Sequence, residues 1–94
     1  MRILWTRLAI GDINSAYDYI AEEKPSAAMD VIERIEKSVA MLIRHPRLGR
    51  VGRVEGTREL VVSGTPFVIP YRARGGRIEI LAVIHAARRW PESI

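Results

Sequence analysis

Six arginines in the second half of the chain have the chemistry to bind an anion together. They are Arg58, Arg72, Arg74, Arg77, Arg88 and Arg89. An arginine guanidinium is planar and holds a phosphate or carboxylate through two parallel hydrogen bonds. The six converge on one surface if Arg58 and Arg72 share the sheet face opposite the helices. The sequence therefore predicts an anion-binding surface, although charges on solvated strands more simply confer solubility.

His85 is the side chain best suited to proton transfer. It lies at the predicted end of the last strand, close in sequence to Arg88 and Arg89. An imidazole beside two cations could act as a general acid or base, with Tyr71 or Glu59 as its partner. A lone histidine without a visible partner is more often hydrogen-bonded to backbone, and both interpretations stay open from the sequence.

Other chemistries are not indicated. The chain has no cysteine, which excludes disulfides and a thiol nucleophile, and its two histidines have no nearby second ligand for a metal. The glycines at 49, 52 and 56 do not have the spacing of a phosphate-binding loop. We therefore expect no metal and no cofactor.

Length and charge limit the class of protein. The 94 residues predict one domain, 1–94, and 48% hydrophobic with 28% charged residues is typical of a folded globular chain. Residues 44–94 hold ten arginines and four acidic residues, whereas residues 1–43 have a net charge of −2. Neither a membrane span nor a signal peptide is indicated, so we expect a cytoplasmic protein with no membrane partner.

The first half of the chain has the spacing of two helices. Residues 2–5 form a short apolar segment that predicts a strand, and Thr6 is an acceptable N-cap. Apolar residues at helical spacing then predict a helix over 7–23 and, after Pro25, a second over 26–44. Two amphipathic helices with a short connection predict an antiparallel hairpin.

The second half has the spacing of strands. Residues 44–56 predict a loop rich in glycine and arginine, after which the apolar period changes to two around Leu60 and Val62. Residues 67–72 and 78–85 predict two further strands, joined by a turn at Gly75-Gly76. Pro70 cannot donate to a ladder, which predicts a bulge or an unpaired site. The expected fold is α+β, with an N-terminal strand and a helical hairpin packed on a C-terminal antiparallel sheet.

This order of elements, with certain short motifs, resembles the RelE/ParE family of toxins from bacterial toxin–antitoxin operons, on its ParE-like side. The motifs are Gly56-Thr57-Arg58-Glu59-Leu60, Tyr71-Arg72, Ile78-Glu79-Ile80-Leu81, and Val83-Ile84-His85-Ala86-Ala87-Arg88-Arg89-Trp90-Pro91. Ala27-Ala28 after Pro25 also fits, and the similarity covers nearly the whole chain.

The resemblance implies a growth-inhibiting toxin held inactive by an antitoxin, which is expected to be a ribbon-helix-helix, ParD-like protein. Such operons also stabilise plasmids. ParE-like members inhibit DNA gyrase, whereas RelE-like members cut messenger RNA in the ribosome. A third interpretation, from another class, is a basic nucleic-acid-binding domain with no toxic role.

The sequence departs from the pattern of the RNA-cutting members. Those members carry an arginine in the middle of the strand that corresponds to 67–72, where this chain has Val68. They also use a tyrosine or histidine near the C-terminus, whereas this chain ends Pro91-Glu92-Ser93-Ile94. Phosphodiester cleavage needs an acid, a base and cations. The cations are present without an evident acid–base pair, which favours the non-enzymatic gyrase inhibitor and leaves the ribosome-dependent endonuclease as the alternative.

Three sets of site residues follow from this interpretation. Target binding is expected at Arg58, Arg72, Arg74, Arg88, Arg89 and Trp90. Antitoxin binding is expected along the hairpin and sheet, at Leu8, Ile13, Tyr17, Arg58 and Arg72. If the protein is a nuclease, the catalytic candidates are Arg58, Tyr71, Arg72, His85 and Arg89.

Overall fold

The computed structural model describes residues 1–91 and confirms an α+β fold. In chain order, the elements are β1 (Arg2–Trp5), α1 (Arg7–Ala21), α2 (Pro25–Ala40), a 3-10 turn (Met41–Ile43), β2 (Arg50–Val51), β3 (Arg58–Val61), β4 (Phe67–Arg74), β5 (Arg77–Ile80) and β6 (Ile84–His85). Within these residues, no helix is long and apolar enough to cross a membrane.

Helix α1 begins at Arg7, as the sequence predicts, and α2 begins at Pro25, one residue before the predicted start; both end earlier than predicted. Thr6 caps α1, since its side-chain oxygen accepts a hydrogen bond from the amide of Ala9 at 3.2 Å. Pro25 opens α2, where its missing N–H would have had no helical partner. The expected ends at 23 and 44 are wrong, because α1 closes at Ala21 and α2 tightens into the 3-10 turn after Ala40. Helix ends often tighten in this way, since their last carbonyls have no α-helical partner.

The sheet is mixed, and its strand order is β1-β5-β4-β3-β2. Strands β3, β4 and β5 form the expected antiparallel meander, with a turn at Gly75 and Gly76, both at positive φ. The N-terminal strand adds to the far side of β5 in parallel, so that Ile3 lies opposite Ile78. Strand β1 therefore lies at one edge of the sheet, and the helical hairpin connects it to the other strands.

The predicted last strand, 78–85, is broken in two. Strand β5 pairs with β4 as far as Ile80, and β6 then pairs with the other end of β4, where His85 lies opposite Phe67. Pro70 lies on β4 between these two ladders, and its carbonyl accepts from the amide of Leu81 at 3.0 Å. A strand residue without an N–H suits the place where the neighbouring strand leaves the ladder.

The core lies between the helices and one sheet face. Alternate residues of the meander point into it, and they meet buried side chains of both helices. The core comprises Ala9, Ile35, Val39, Leu42, Leu60, Val62, Phe67, Ile69, Tyr71, Ile78, Ile80 and Val83. Ile43, which the spacing assigns to the same stripe, is instead exposed, because the helix has already tightened there.

Two side chains of the α1 region tie the helix to the segment between β5 and β6. The hydroxyl of Thr6 donates to the carbonyl of Leu81 at 3.1 Å, and the carboxylate of Asp12 accepts from the amide of Val83 at 2.9 Å. Because these residues do not continue a ladder, side chains supply the partners that their backbone would otherwise lack.

Replacing Asp12 with alanine is expected to lower the free energy of unfolding by about 1–3 kcal/mol, because the buried Val83 amide loses its partner. Asp18→Ala is the matched control, an exposed aspartate of the same helix, and is expected to change stability by less than about 0.5 kcal/mol. Urea unfolding of the variants measures both values. Equal stability of the two variants would contradict this role for Asp12.

Candidate functional site

The arginines of the meander lie on two different faces. Arg58 pairs in register with Tyr71, on the face that packs on the helices, whereas Arg72 pairs with Glu79 on the opposite, outer face. Successive strand residues alternate between faces, which places Arg74 and Arg77 on the outer face with Arg72. The condition under which the six arginines would converge, that Arg58 and Arg72 share one face, is therefore not met.

Arg58 holds a loop in place. Its Nη1 donates to the carbonyl of Gly49 at 2.8 Å, at the end of the segment that precedes β2. The guanidinium thus satisfies a backbone oxygen beside the core, and Arg58 is half-buried. Its hydrogen bond is structural, and its charge lies apart from the outer-face arginines.

The outer-face arginines share one acidic residue. The Nε of Arg74 lies 3.4 Å from Oε1 of Glu79, and the Nε of Arg77 lies 3.9 Å from Oε2. Arg72 stands opposite Glu79 in the ladder. Three cations against one carboxylate leave this part of the face positive, with the most exposed charge on Arg74.

Tyr71 is fully buried, and its hydroxyl is occupied. It donates to the carbonyl of Pro46 at 2.7 Å and accepts from the amide of Gly49 at 2.9 Å. Burial raises the pKa of Tyr71 above its usual 10.0, against the lowering effects of the Gly49 amide and the Arg58 charge. This phenol anchors the 46–49 loop from inside the core, where a phosphodiester in solvent cannot contact it.

Glu59 is a buried carboxylate that is held by two arginines. Its Oε1 accepts from Nε and Nη2 of Arg50 at 3.2 and 3.0 Å, and its Oε2 accepts from the backbone amide and Nε of Arg53 at 2.8 and 3.3 Å. Burial raises the pKa of Glu59, but these hydrogen bonds together lower it below 4.5. The acid is therefore ionised and fully engaged, which does not suit a proton donor.

Acid should weaken the fold through Glu59. Because its folded pKa is lower than its unfolded pKa, its contribution is complete above about pH 4.5 and is lost as pH falls through the folded value. We expect wild type to be more stable than Glu59→Gln at pH 7, with a difference that shrinks as pH falls toward 3. Urea unfolding of both proteins across this range measures it. A difference that is constant with pH would contradict this origin.

His85 is half-buried and directly precedes the C-terminal tail, which is residues 86–91 of the described chain. Its Nδ1 accepts from the amide of Ala87 at 3.1 Å, and its ring packs edge-on against Phe67, with centroids 5.7 Å apart. This hydrogen bond engages one of the two ring nitrogens of His85 with the local backbone. Tyr71 and Glu59, its expected acid–base partners, are engaged elsewhere.

A groove of about 640 Å³ separates α1 from the C-terminal segment. Its floor is apolar, and its rim carries Asp12 and Tyr19 on one side and Arg88 and Arg89 on the other. The guanidinium of Arg88 lies 5.7 Å from the ring centroid of Tyr19, which is 68% exposed. The lining residues are Asp12, Ser15, Ala16, Tyr19, Phe67, Val83, Ile84, His85, Ala87, Arg88, Arg89 and Pro91.

The expected antitoxin residues of α1 face different ways. Leu8 is 43% exposed and lies one helical turn before Asp12, on the side of the helix that lines the groove. Ile13 packs against the core, and Tyr17 is half-buried away from this stripe. Spacing gave no reason to select Tyr19, although it is the most exposed aromatic side chain on the helix.

Trp90 contacts Arg53 across the fold. The guanidinium carbon of Arg53 lies 3.5 Å from the centroid of the Trp90 ring, in a cation–π contact. Thirty-seven positions separate these residues, so no sequence spacing points to this pair. Within residues 1–91, no three ligating side chains cluster as a metal site would require.

The structure has a helical hairpin packed on a mixed sheet and a basic tail, which is the α+β fold that the resemblance to the toxin family implies. Comparison with known proteins narrows the class. The chain matches the family of ParE toxins of the type II toxin–antitoxin system parDE over residues 3–90. The protein belongs to this family, which decides against a nucleic-acid-binding domain without a toxic role.

Individual relatives agree with the family assignment. The chain is 42% identical over 91 residues to Y4kP of Sinorhizobium fredii, a candidate toxin, covering 97% of this chain and 94% of that protein. It is 34% identical over 87 residues to toxin RelE2 of Caulobacter vibrioides, covering 93% and 97%. A solved structure of the chromosomal ParDE toxin–antitoxin system from P. aeruginosa matches with a TM-score of 0.80 and 32% identity, covering 90% of this chain and 95% of that one.

Proposed function

We propose that this toxin acts by binding DNA gyrase through its basic tail, without chemistry of its own. Its membership of the ParE family and the antitoxin partner that a type II system implies are established by the comparisons. The observation that carries the proposal is that the fold itself engages each of the three acid–base candidates. Tyr71 is buried, Glu59 is ionised between two arginines, and Nδ1 of His85 is bonded to backbone.

The tail is the surface that fits a binding role. Arg88 and Arg89 are exposed, and they adjoin a groove with an apolar floor. Binding needs only charge and shape at this surface, whereas cleavage needs a proton donor and acceptor within reach of the scissile phosphate. Arg72 and Arg74, on the outer face, extend the positive surface proposed for the target.

We propose that the antitoxin occupies the groove. An amphipathic segment with acidic residues would place its apolar side on Leu8 and the groove floor and its carboxylates near Arg88 and Arg89. Such a segment would cover the tail arginines directly, so that antitoxin and target compete for one surface. A ribbon-helix-helix, ParD-like protein is the expected partner. The proposed target places the toxin in the cytoplasm.

Two assays with the purified toxin test this proposal. One measures supercoiling by gyrase, and the other measures cleavage of messenger RNA on programmed ribosomes. We expect inhibition in the first and intact transcripts in the second, with inhibition relieved by the antitoxin. The name of the Caulobacter relative, RelE2, gives the endonuclease its specific support. Cut transcripts with unaffected supercoiling would establish that alternative.

A further inference from the structure

A buried acid on β3 and the tryptophan of the tail are joined through one arginine. The side chain of Glu59 is 4% exposed, whereas Arg53, which binds it, is 54% exposed. The acid is therefore fixed within the fold, and the cation extends from it toward the surface. Glu59 receives both the backbone amide and the Nε of Arg53, so the start of that side chain is held at two points.

Arg53 uses its edge and its face for different partners. The Nε at the edge donates to Oε2 of Glu59 at 3.3 Å, and the face of the same guanidinium covers the ring of Trp90 at 3.5 Å. A planar guanidinium can make both contacts at once, since hydrogen bonds lie in its plane and stacking lies above it. Fixing the edge through Glu59 thereby fixes the orientation of the face on which Trp90 rests.

The tail has few other attachments near Trp90. Its backbone bonds to the rest of the fold at the Ala86 amide, which donates to Pro66, and it closes a turn between Arg88 and His85. Beyond Arg88, the described part of the chain shows no hydrogen bond that holds the tail. Within residues 1–91, two cation–π contacts hold this segment to the rest of the fold: Arg88 with Tyr19, and, nearer its end, Trp90 with Arg53.

We propose that Glu59 is a positioning residue for the target-binding tail and acts through Arg53 on Trp90. This proposal rests on the proposed function in taking the tail as the target-binding segment. A tail held in one conformation binds its target without first losing conformational freedom, which is the benefit of pre-organisation. Glu59 is thus a determinant of target affinity that does not itself touch the target.

The fluorescence of Trp90 tests the link directly. In the full chain with Trp5→Phe, Trp90 is the sole tryptophan, and acrylamide quenching reports how far its ring is released. Glu59→Gln is expected to increase the ratio of released to stacked tails by about 2- to 5-fold, the range for losing a cation–π contact at an exposed site. Arg53→Lys should have a similar effect, because lysine keeps the charge but not the planar face.

Two control variants separate this link from general damage. Glu79→Gln neutralises a different carboxylate that also pairs with two arginines, Arg74 and Arg77. Arg50→Ala removes the other arginine that binds Glu59 and leaves the stack of Arg53 on Trp90 in place. Both are expected to leave Trp90 quenching near the wild-type value. Circular dichroism establishes that each variant is folded. If Glu59→Gln does not fold, unchanged quenching in the exposed Arg53→Lys variant still overturns the proposal, because the proposed link to Trp90 runs through Arg53.

The two readouts keep this inference separate from the proposed function. Unchanged quenching of Trp90 in folded Glu59→Gln or Arg53→Lys would overturn the proposal. Released Trp90 with unchanged potency against gyrase would also overturn it, because the tail would then need no positioning. Released Trp90 together with lower potency supports it. If wild type inhibits no gyrase, the proposed function fails, while the quenching still decides whether Glu59 positions the tail.

Discussion

Replacing Arg88 and Arg89 together with alanine is expected to abolish growth inhibition in cells that express the toxin alone, whereas His85→Ala should leave it largely intact. Both arginines are exposed on the rim of the groove, so their loss removes charge and contact area from the proposed binding surface. His85 contacts Phe67 and the tail backbone, and no proton transfer is assigned to it. Growth curves of cells expressing each variant without antitoxin measure the effect.

The control for charge is the double variant Lys37→Ala and Arg44→Ala, which also removes two positive charges, but from exposed positions at the end of the hairpin. This variant should remain toxic if position matters more than net charge. Removing a general acid or base typically lowers a rate by about 10²–10⁴-fold, which would abolish killing by a nuclease. Complete loss of toxicity in a folded His85→Ala variant, with cut transcripts in wild type, would establish the endonuclease instead.

Tyr71→Ala is expected to have the largest effect on stability, lowering the free energy of unfolding by about 3–5 kcal/mol. The ring is fully buried in the core, and its hydroxyl joins the Pro46 carbonyl to the Gly49 amide, so the change leaves a cavity and frees the 46–49 loop. Small domains have only about 5–15 kcal/mol of stability in total. Thermal and urea unfolding of the purified variants measure the loss.

Two further variants divide this effect into parts. Tyr71→Phe keeps the ring and removes the hydroxyl, and we expect it to cost about 1–3 kcal/mol, because the buried Gly49 amide loses its acceptor. Tyr19→Ala removes a largely exposed ring and should change stability by about 0.5 kcal/mol or less. A Tyr71→Phe protein as stable as wild type would show that the hydroxyl contributes no net stability to the loop.

The position of Tyr71 also bears on the mechanism. Its residue type and its place beside Arg72 make Tyr71 a candidate for catalysis from the sequence alone. The register with Arg58 puts it on the core face, and a neighbouring loop closes over its hydroxyl. An apparent catalytic tyrosine thus serves as a structural anchor, which weakens the case for RNA cleavage by this chain.

Local patterns in the sequence determined the elements of this protein. Period-four spacing after Thr6 and Pro25 predicts both helices, and period-two spacing around Leu60 and the Gly75-Gly76 turn predicts the meander. These features depend on neighbouring residues, because helices, hairpins and turns form through contacts only a few positions apart. Together with the short motifs, they were sufficient to identify the family that the comparisons then confirmed.

Tertiary structure alone decided how distant residues combine. The pairing of β1 with β5, the groove between α1 and the tail, and the contact of Arg53 with Trp90 each join segments far apart in the chain. The face of a strand residue is also set by register, and a shift of one position exchanges the two faces. For this reason the sequence shows how many arginines there are and where they lie along the chain, but only the register of the folded sheet shows that Arg58 and Arg72 lie on opposite faces.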